Sequence, residues 1–288
     1  MLDYHLHLWP HGERARQATV EELAAYCEQA RSEGVEQIAL TEHLFRFDQA
    51  DRLVGGWWAD STDDRLKADV ARYWTDHVSA DLDNYVETCL AAKAAGLPVV
   101  LGMEVDYYPG RMDQVATLLA DYPFDVLLGS IHWLGTWMFD DLSSDVAMSE
   151  WDSRRVEDVW DTYTTALEEL AATGTVDVLA HPDLCKVTGR RPAIPDEWYD
   201  RMAEAAKGAG IAAEVSSAGW RKPAGEAYSP PPLLARFHAA GVPVTTASDA
   251  HRLADVAMRT SDLRRLVVDA GYRSLCAFDH RRPVEVAI

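Results

Sequence analysis

The feature that most constrains this chain is an alternation. Short apolar runs that read as strands are followed, again and again, by stretches with helical spacing of apolar residues. The runs fall near residues 3–8, 37–40, 98–104, 124–131, 176–180, 211–215 and 242–247, with a further short strand near 284–286. Helices are predicted between them at about 20–33, 82–95, 112–120, 154–172, 196–209, 230–240 and 261–270. Thr19 and Glu22 have capping-box spacing, Gly34 closes that helix, and Ser229 with Pro230 reads as cap and first turn of another. Strand–helix alternation implies a parallel sheet with right-handed crossovers, and continuously apolar strands imply burial on both faces. A closed β/α barrel satisfies both and places functional residues at the C-terminal strand ends. A doubly wound sheet would gather them at one switch point instead. No Pro/Gly/Ser-rich linker divides the 288 residues, so one domain spanning 1–288 is expected. The segment 45–80, rich in Asp, Arg and Trp, reads as an irregular excursion over the barrel mouth.

The strand ends carry the chemistry. His5 and His7 alternate on one strand, so both rings leave the same side of it. Of the 10 histidines, seven (His5, His7, His11, His43, His132, His181 and His251) lie at or just past a predicted strand end. Glu104 and Asp249 stand in the same kind of position, and Glu214 is an inward polar residue on its strand. Each has a bland reading alone: a hydrogen-bonded loop histidine, a helix cap, a carboxylate paired with an arginine. Together they form an imidazole–carboxylate set without clustered thiolates, which suits Zn, Mn or Fe(II).

The formal net charge is −20, a field that repels nucleic-acid backbones and anionic membranes. A small phosphate ester would need local cations, which bound divalent metals supply. The four cysteines are far apart and read as free thiols of a reducing compartment. The first residues lack the basic and apolar regions of a secretory leader. The most apolar run, 94–103, is too short to span a bilayer. A cytoplasmic protein with a small-molecule partner, no long nucleic acid and no membrane is the expectation.

The ordered pieces His5-Leu6-His7, Pro10-His11-Gly12, Thr41-Glu42-His43, Gly102-Met103-Glu104-Val105-Asp106-Tyr107, Ser130-Ile131-His132, Ala180-His181-Pro182-Asp183-Leu184, the segment 214–223 and Ser248-Asp249-Ala250-His251 resemble the polymerase-and-histidinol-phosphatase (PHP) superfamily. Within it, Ala218-Gly219-Trp220-Arg221-Lys222-Pro223 is similar to the monofunctional histidinol-phosphatase type. The resemblance implies an α/β fold, a distorted (β/α)7 TIM-like barrel, holding three divalent metal ions. It implies a first metal on His5, His7, Glu104 and Asp249. A second would use Glu104, His132 and His181, with Glu104 bridging, and a third His11, His43 and His251. The spacing from His7 to His11 is shorter than in many relatives.

A hydroxide bridging two such metals would attack phosphorus in line, hydrolysing L-histidinol phosphate. Glu104, Asp249 and His251 would be catalytic. Arg221, Lys222 and Lys186 would bind phosphate, with Arg190 and Arg191 also within loop reach. Trp9, Trp133 and Trp220 would wall the pocket, and Asp106 or Asp183 would accept the substrate amine. Competing readings are a related phosphatase or phosphodiesterase acting on a nucleotide, and a non-catalytic metal-binding barrel. A metal-dependent amidohydrolase would need a bridging lysine where this chain has Glu104.

Overall fold

The computed structural model describes residues 1–288. Seven parallel strands lie in sequence order: β1 (Leu2–Leu6), β2 (Gln37–Leu40), β3 (Val99–Asp106), β4 (Val126–Ser130), β5 (Val178–Leu179), β6 (Ala212–Ser216) and β7 (Val244–Ala247). Nearly every strand residue is buried, which is why the runs carry no polar alternation. Ladders join each strand to the next from β1 to β7.

The seam between β7 and β1 closes differently. Thr246 Oγ1 donates to Leu2 O at 2.7 Å, Ser248 N and Oγ donate to the buried Asp3 carboxylate at 2.7 Å each, and His7 N donates to Ala250 O at 2.8 Å. Side chains substitute for a ladder there, so the barrel is distorted at the place where His5, His7 and Asp249 meet. It is a nearly closed (β/α)7 TIM-like barrel.

Helices cover the outside: α1 (Val20–Ser32), α4 (Leu82–Ala94), α5 (Met112–Ala120), α7 (Val156–Ala172), α8 (Asp196–Ala209), α9 (Pro231–Ala240) and α10 (Thr260–Asp269). The capping box at Thr19 and Glu22 forms in both directions. The cap expected of Ser229 does not form. Its hydroxyl donates to Glu214 O at 3.0 Å, and Pro230 starts α9 without a side-chain cap.

The segment 45–80 is helical rather than irregular. It holds α2 (Asp48–Val54) and α3 (Asp64–His77), the latter capped by Asp63. Leu66, Val70, Trp74 and His77 form the buried face of α3 at helical spacing, a pattern that the surrounding charge hides. Another helix, α6 (Asp145–Ser153), precedes α7 and is capped by Ser144.

The expected last strand is one arm of an antiparallel hairpin, β8 (Ser274–Asp279) with β9 (Arg282–Ala287), outside the barrel sheet. Its two-residue turn has φ of 49° at His280 and 63° at Arg281. This is the geometry of a type I′ turn built without the glycine that usually betrays one. Arg281 pairs with Asp177, just before β5, so the hairpin crosses the N-terminal end of the barrel and leaves the other end open. All four cysteines are buried and unpaired, and no helix is long and apolar enough to cross a membrane.

Candidate metal centre

At the C-terminal strand ends, one carboxylate collects five imidazoles. Glu104, fully buried on β3, faces His181 Nε2 at 3.1 Å and His132 Nε2 at 3.4 Å with Oε1. Its Oε2 faces His43 Nδ1 at 2.6 Å, His5 Nε2 at 3.3 Å and His7 Nε2 at 3.6 Å. Asp249 Oδ1 lies 3.5 Å from His7 Nε2, 3.9 Å from His5 Nε2 and 3.6 Å from His251 Nδ1. Asp249 and His181 are held at φ of 52° and 28°, uncommon for residues with a Cβ and typical of positions that a site over-determines.

The donor set fits divalent cations. His5 Nε2, His7 Nε2, His43 Nδ1, His181 Nδ1 and Glu104 Oε2 are buried without a hydrogen-bond partner. Most point into one small volume, and leaving so many polar atoms unpaired is costly unless an ion takes them. Four overlapping trios have ligand atoms all within 4.8 Å of one another: His5–His7–Asp249, His5–Glu104–His181, His43–Glu104–His132 and His7–His43–His251. Burial works to raise the Glu104 carboxyl, but His43, His5 and His132 outweigh it and hold it well below the usual range. Burial likewise opposes charge on His132, yet Glu104 and Asp106 lift it to about 10.

Three further carboxylates fix the rings. Glu214 Oε2 sits 2.8 Å from His5 Nδ1, Asp106 Oδ1 2.6 Å from His132 Nδ1, and Glu42 Oε1 3.3 Å from His7 Nδ1. Each takes one ring N–H and leaves the opposite nitrogen free to ligate. Glu42 in turn is held by Arg46, itself fully buried and bonded to the carbonyls of Trp9, Pro10 and Glu13. The roles of Glu42 and Asp106 escaped the sequence reading. The available signal was parity: Asp106 stands two residues beyond Glu104 on the same strand face.

His11 lies beside His43 and His251, with ring centroids 5.3 and 4.2 Å away. Its ring stacks on His251 and its Nδ1 bonds Tyr73 OH at 3.2 Å, while His7 forms a trio with His43 and His251. His77, outside the ligand set, is structural. It is buried beside this loop, accepting from Gly12 N at Nε2 and bonding Tyr73 O through Nδ1.

Above the centre opens a cavity of about 840 Å³, lined on one side by Arg221 and Lys222 and elsewhere by Tyr73, Trp133, Asp140 and His251. Residues of 45–80 therefore do border the mouth. Arg221 is anchored by donating to Ser248 O and Asp249 O at 2.8 Å each. Gly219 permits this, since a Cβ there would fall 2.1 Å from Glu226 O.

Lys186 is not among the lining residues. It is buried against Asp183 Oδ2 at 2.7 Å, Glu226 Oε1 at 3.1 Å and Ala227 O at 2.8 Å. Arg190 pairs with Asp152 and Arg191 with Glu226, so neither turns inward. Trp9 is buried away from the cavity and Trp220 lies under Arg259. Lys186→Met is accordingly expected to lower stability by about 3 kcal/mol, because it strands the buried carboxylate of Asp183, while Glu226 keeps Arg191. Chemical denaturation checks this. A raised ester KM without loss of stability would return Lys186 to the substrate.

The PHP domain model matches residues 5–218. A relative from Deinococcus radiodurans named "Probable histidinol-phosphatase" is 34% identical over 190 residues, covering 66% of this chain and 71% of its own. The histidinol phosphate phosphatase of Lactococcus lactis, solved with zinc, L-histidinol and phosphate, superposes with a TM-score of 0.68 at 17% identity over 98% of both chains. A solved chain from Listeria monocytogenes gives 0.72 at 18% identity, over 91% of this chain and 99% of that one. With the barrel, its ring of strand-end ligands and a domain match running from His5 to Ala218, this chain belongs to the PHP domain family.

Proposed function

We propose that this chain is a metal-dependent phosphomonoesterase, a cytoplasmic enzyme of histidine biosynthesis that hydrolyses L-histidinol phosphate to L-histidinol and phosphate. The observation that carries the reading is one bridging-type carboxylate, Glu104, ringed by five imidazoles on the floor of a cavity with Arg221 and Lys222 on its wall. The Deinococcus relative supports the choice of ester.

His5, His7, Glu104 and Asp249 would hold one cation, Glu104, His132 and His181 a second, and His43 with His251 a third, drawing on His7 or His11. Such ions, when bound, polarise phosphoryl oxygens and activate water at neutral pH. The protein's own share is preorganisation. Glu42, Asp106 and Glu214 hold three rings in one tautomer, and the two oxygens of Glu104 serve separate groups of ligands. Asp249 and His251, on the loop after β7, face the cavity and would contact the reacting ester. Arg221 keeps part of its guanidinium for a phosphoryl oxygen, in a geometry two backbone carbonyls have fixed beforehand.

Phosphate release from L-histidinol phosphate, nucleoside monophosphates and short oligonucleotides tests the reading. The first is expected to lead by about 100-fold in kcat/KM, the scale a polar recognition site reaches. A nucleoside monophosphate as the best substrate would refute it. Arg221→Ala is expected to raise KM about 10- to 100-fold, the worth of a charge-assisted hydrogen-bond pair. Steady-state kinetics with unchanged KM and kcat would take Arg221 out of the site.

A further inference from the structure

We propose that Asp140 is the anchor for the substrate's ammonium group, making this chain selective for phosphate esters of 2-amino alcohols over esters that lack the amine. The inference rests on the phosphomonoesterase reading and adds a recognition residue to it.

The cavity wall carries charges of both signs. Arg221 and Lys222, after β6, are cations of that wall, Arg221 bonded to the loop of Asp249, and Arg72 and Arg252 also line it. For an anion to meet an ammonium, the acids that sequence offered are already engaged. Asp106 serves His132, and Asp183 is buried against Lys186. Asp141 accepts from Ser143 N and Oγ, which occupies it in its own turn. Asp76 is exposed at the outer rim of α3.

Asp255, on the loop after β7, also lines the cavity half-buried and without a protein partner; Asp140 is the unpaired acid on the loop after β4 that carries His132. It lies half-buried on the cavity wall, with neither a hydrogen bond nor an ion pair from the protein to its carboxylate. Its charge acts on His132, Lys222 and His181, and on Tyr73 and Tyr228 across the mouth. The carboxylate shares the cavity lining with His132 and His181.

Its backbone is also fixed. Phe139 and Met138 are buried beside it, Trp151 Nε1 donates to Phe139 O at 2.7 Å, and Ser144 ties the following turn to Asp69 at 2.8 Å. A partly buried carboxylate that no protein cation bonds directly is relieved when a cation binds it.

The chemistry of the ester meets this geometry. In a 2-amino alcohol phosphate, the ammonium stands on the carbon next to the one bearing the ester oxygen. With phosphorus over Glu104 and its imidazoles, the ammonium lies only a few bonds away, inside the cavity whose wall holds both His132 and Asp140. A site built to receive an N–H group rejects analogues lacking it, since its buried acceptor is then left unpaired. An unpaired acid on the wall also disfavours nucleotides, whose leaving groups bring no ammonium.

The test compares kcat/KM for L-histidinol phosphate and for its deamino analogue, 3-(imidazol-4-yl)propyl phosphate, in the metal-loaded enzyme. Asp140→Asn is expected to shrink the selectivity ratio about 10- to 100-fold, the worth of one charged hydrogen bond, chiefly through KM for the amine-bearing ester. A ratio preserved within about twofold, against the usual worth of such a bond, overturns the assignment. Should the variant fail to fold, inhibition of the parent enzyme by L-histidinol and by 3-(imidazol-4-yl)propanol decides. Tighter binding of the amino alcohol supports Asp140, and equal binding overturns it. A parent enzyme that cleaves both esters with equal efficiency keeps the phosphatase reading and removes the role of Asp140. One that cleaves neither refutes the reading beneath it.

Discussion

Glu104→Ala is expected to abolish turnover, by on the order of 10³-fold or more, while the barrel stays folded. The side chain is the shared partner of His5, His7, His43, His132 and His181, and no other carboxylate faces ring nitrogens of both ligand groups. Its loss should release the bridged cations together, not one alone. The fold does not depend on it in the same way. β3 keeps its ladder to β4 through the backbone of Glu104 opposite Leu128, and Glu104 N still donates to Glu42 O at 3.0 Å. Three measurements separate the effects: metal per protein by atomic emission, secondary structure by circular dichroism, and phosphate release. Glu104→Gln preserves volume and one acceptor oxygen but removes the charge, and it should lose metal as well. A variant with full metal content and full activity would end the bridging assignment.

Why the barrel and its ligand ring were readable in the sequence follows from the same physics. A parallel strand buried on both faces cannot hide, because its apolar run is unbroken, and whatever polar residue ends it must lie at one rim of a barrel. His43, His132, His181 and Asp249 inherit their positions from that rule. The rule says nothing of the segments between. α3 carries its buried face under a mask of Asp, Arg and Lys, and α6 follows a stretch without periodicity. Asp140 lies in that stretch, so its place on the cavity wall depends on Trp151 and Ser144 folding back.

Basic residues on neighbouring loops were likewise inseparable by type. Arg221 finds carbonyls at the cavity edge, and Lys186 finds two acids beneath it; only the packing of residues 218–228 distinguishes them. The short span from His7 to His11 was visible, and its consequence was not. Tyr73 of α3 bonds His11 Nδ1 and leaves its Nε2, and His7 lies within reach of His43 and His251 as well.

Exhaustive chelation is expected to lower the thermal midpoint by about 10 °C or more, and zinc, manganese or iron to restore it. The ground is the set of orphaned atoms at the rim, where His5, His7, His43 and Glu104 each bury a polar atom without a protein partner. Removing the cations leaves those atoms desolvated and unpaired, and the imidazoles that take up protons then crowd one another. Binding to the native state alone adds about 4 kcal/mol for each ion present at a thousandfold excess over its Kd, and a large domain gains about 2–4 °C per kcal/mol. Several sites therefore place the shift well outside measurement error. Glu104→Ala, which cannot share its ligand between sites, should show a much smaller chelator response, and this ties the stability effect to the centre and not to stray surface ions. Complete metal loss with an unchanged midpoint would mean that protonation alone satisfies the buried rings. The ligand set would then contribute nothing to the fold it is embedded in.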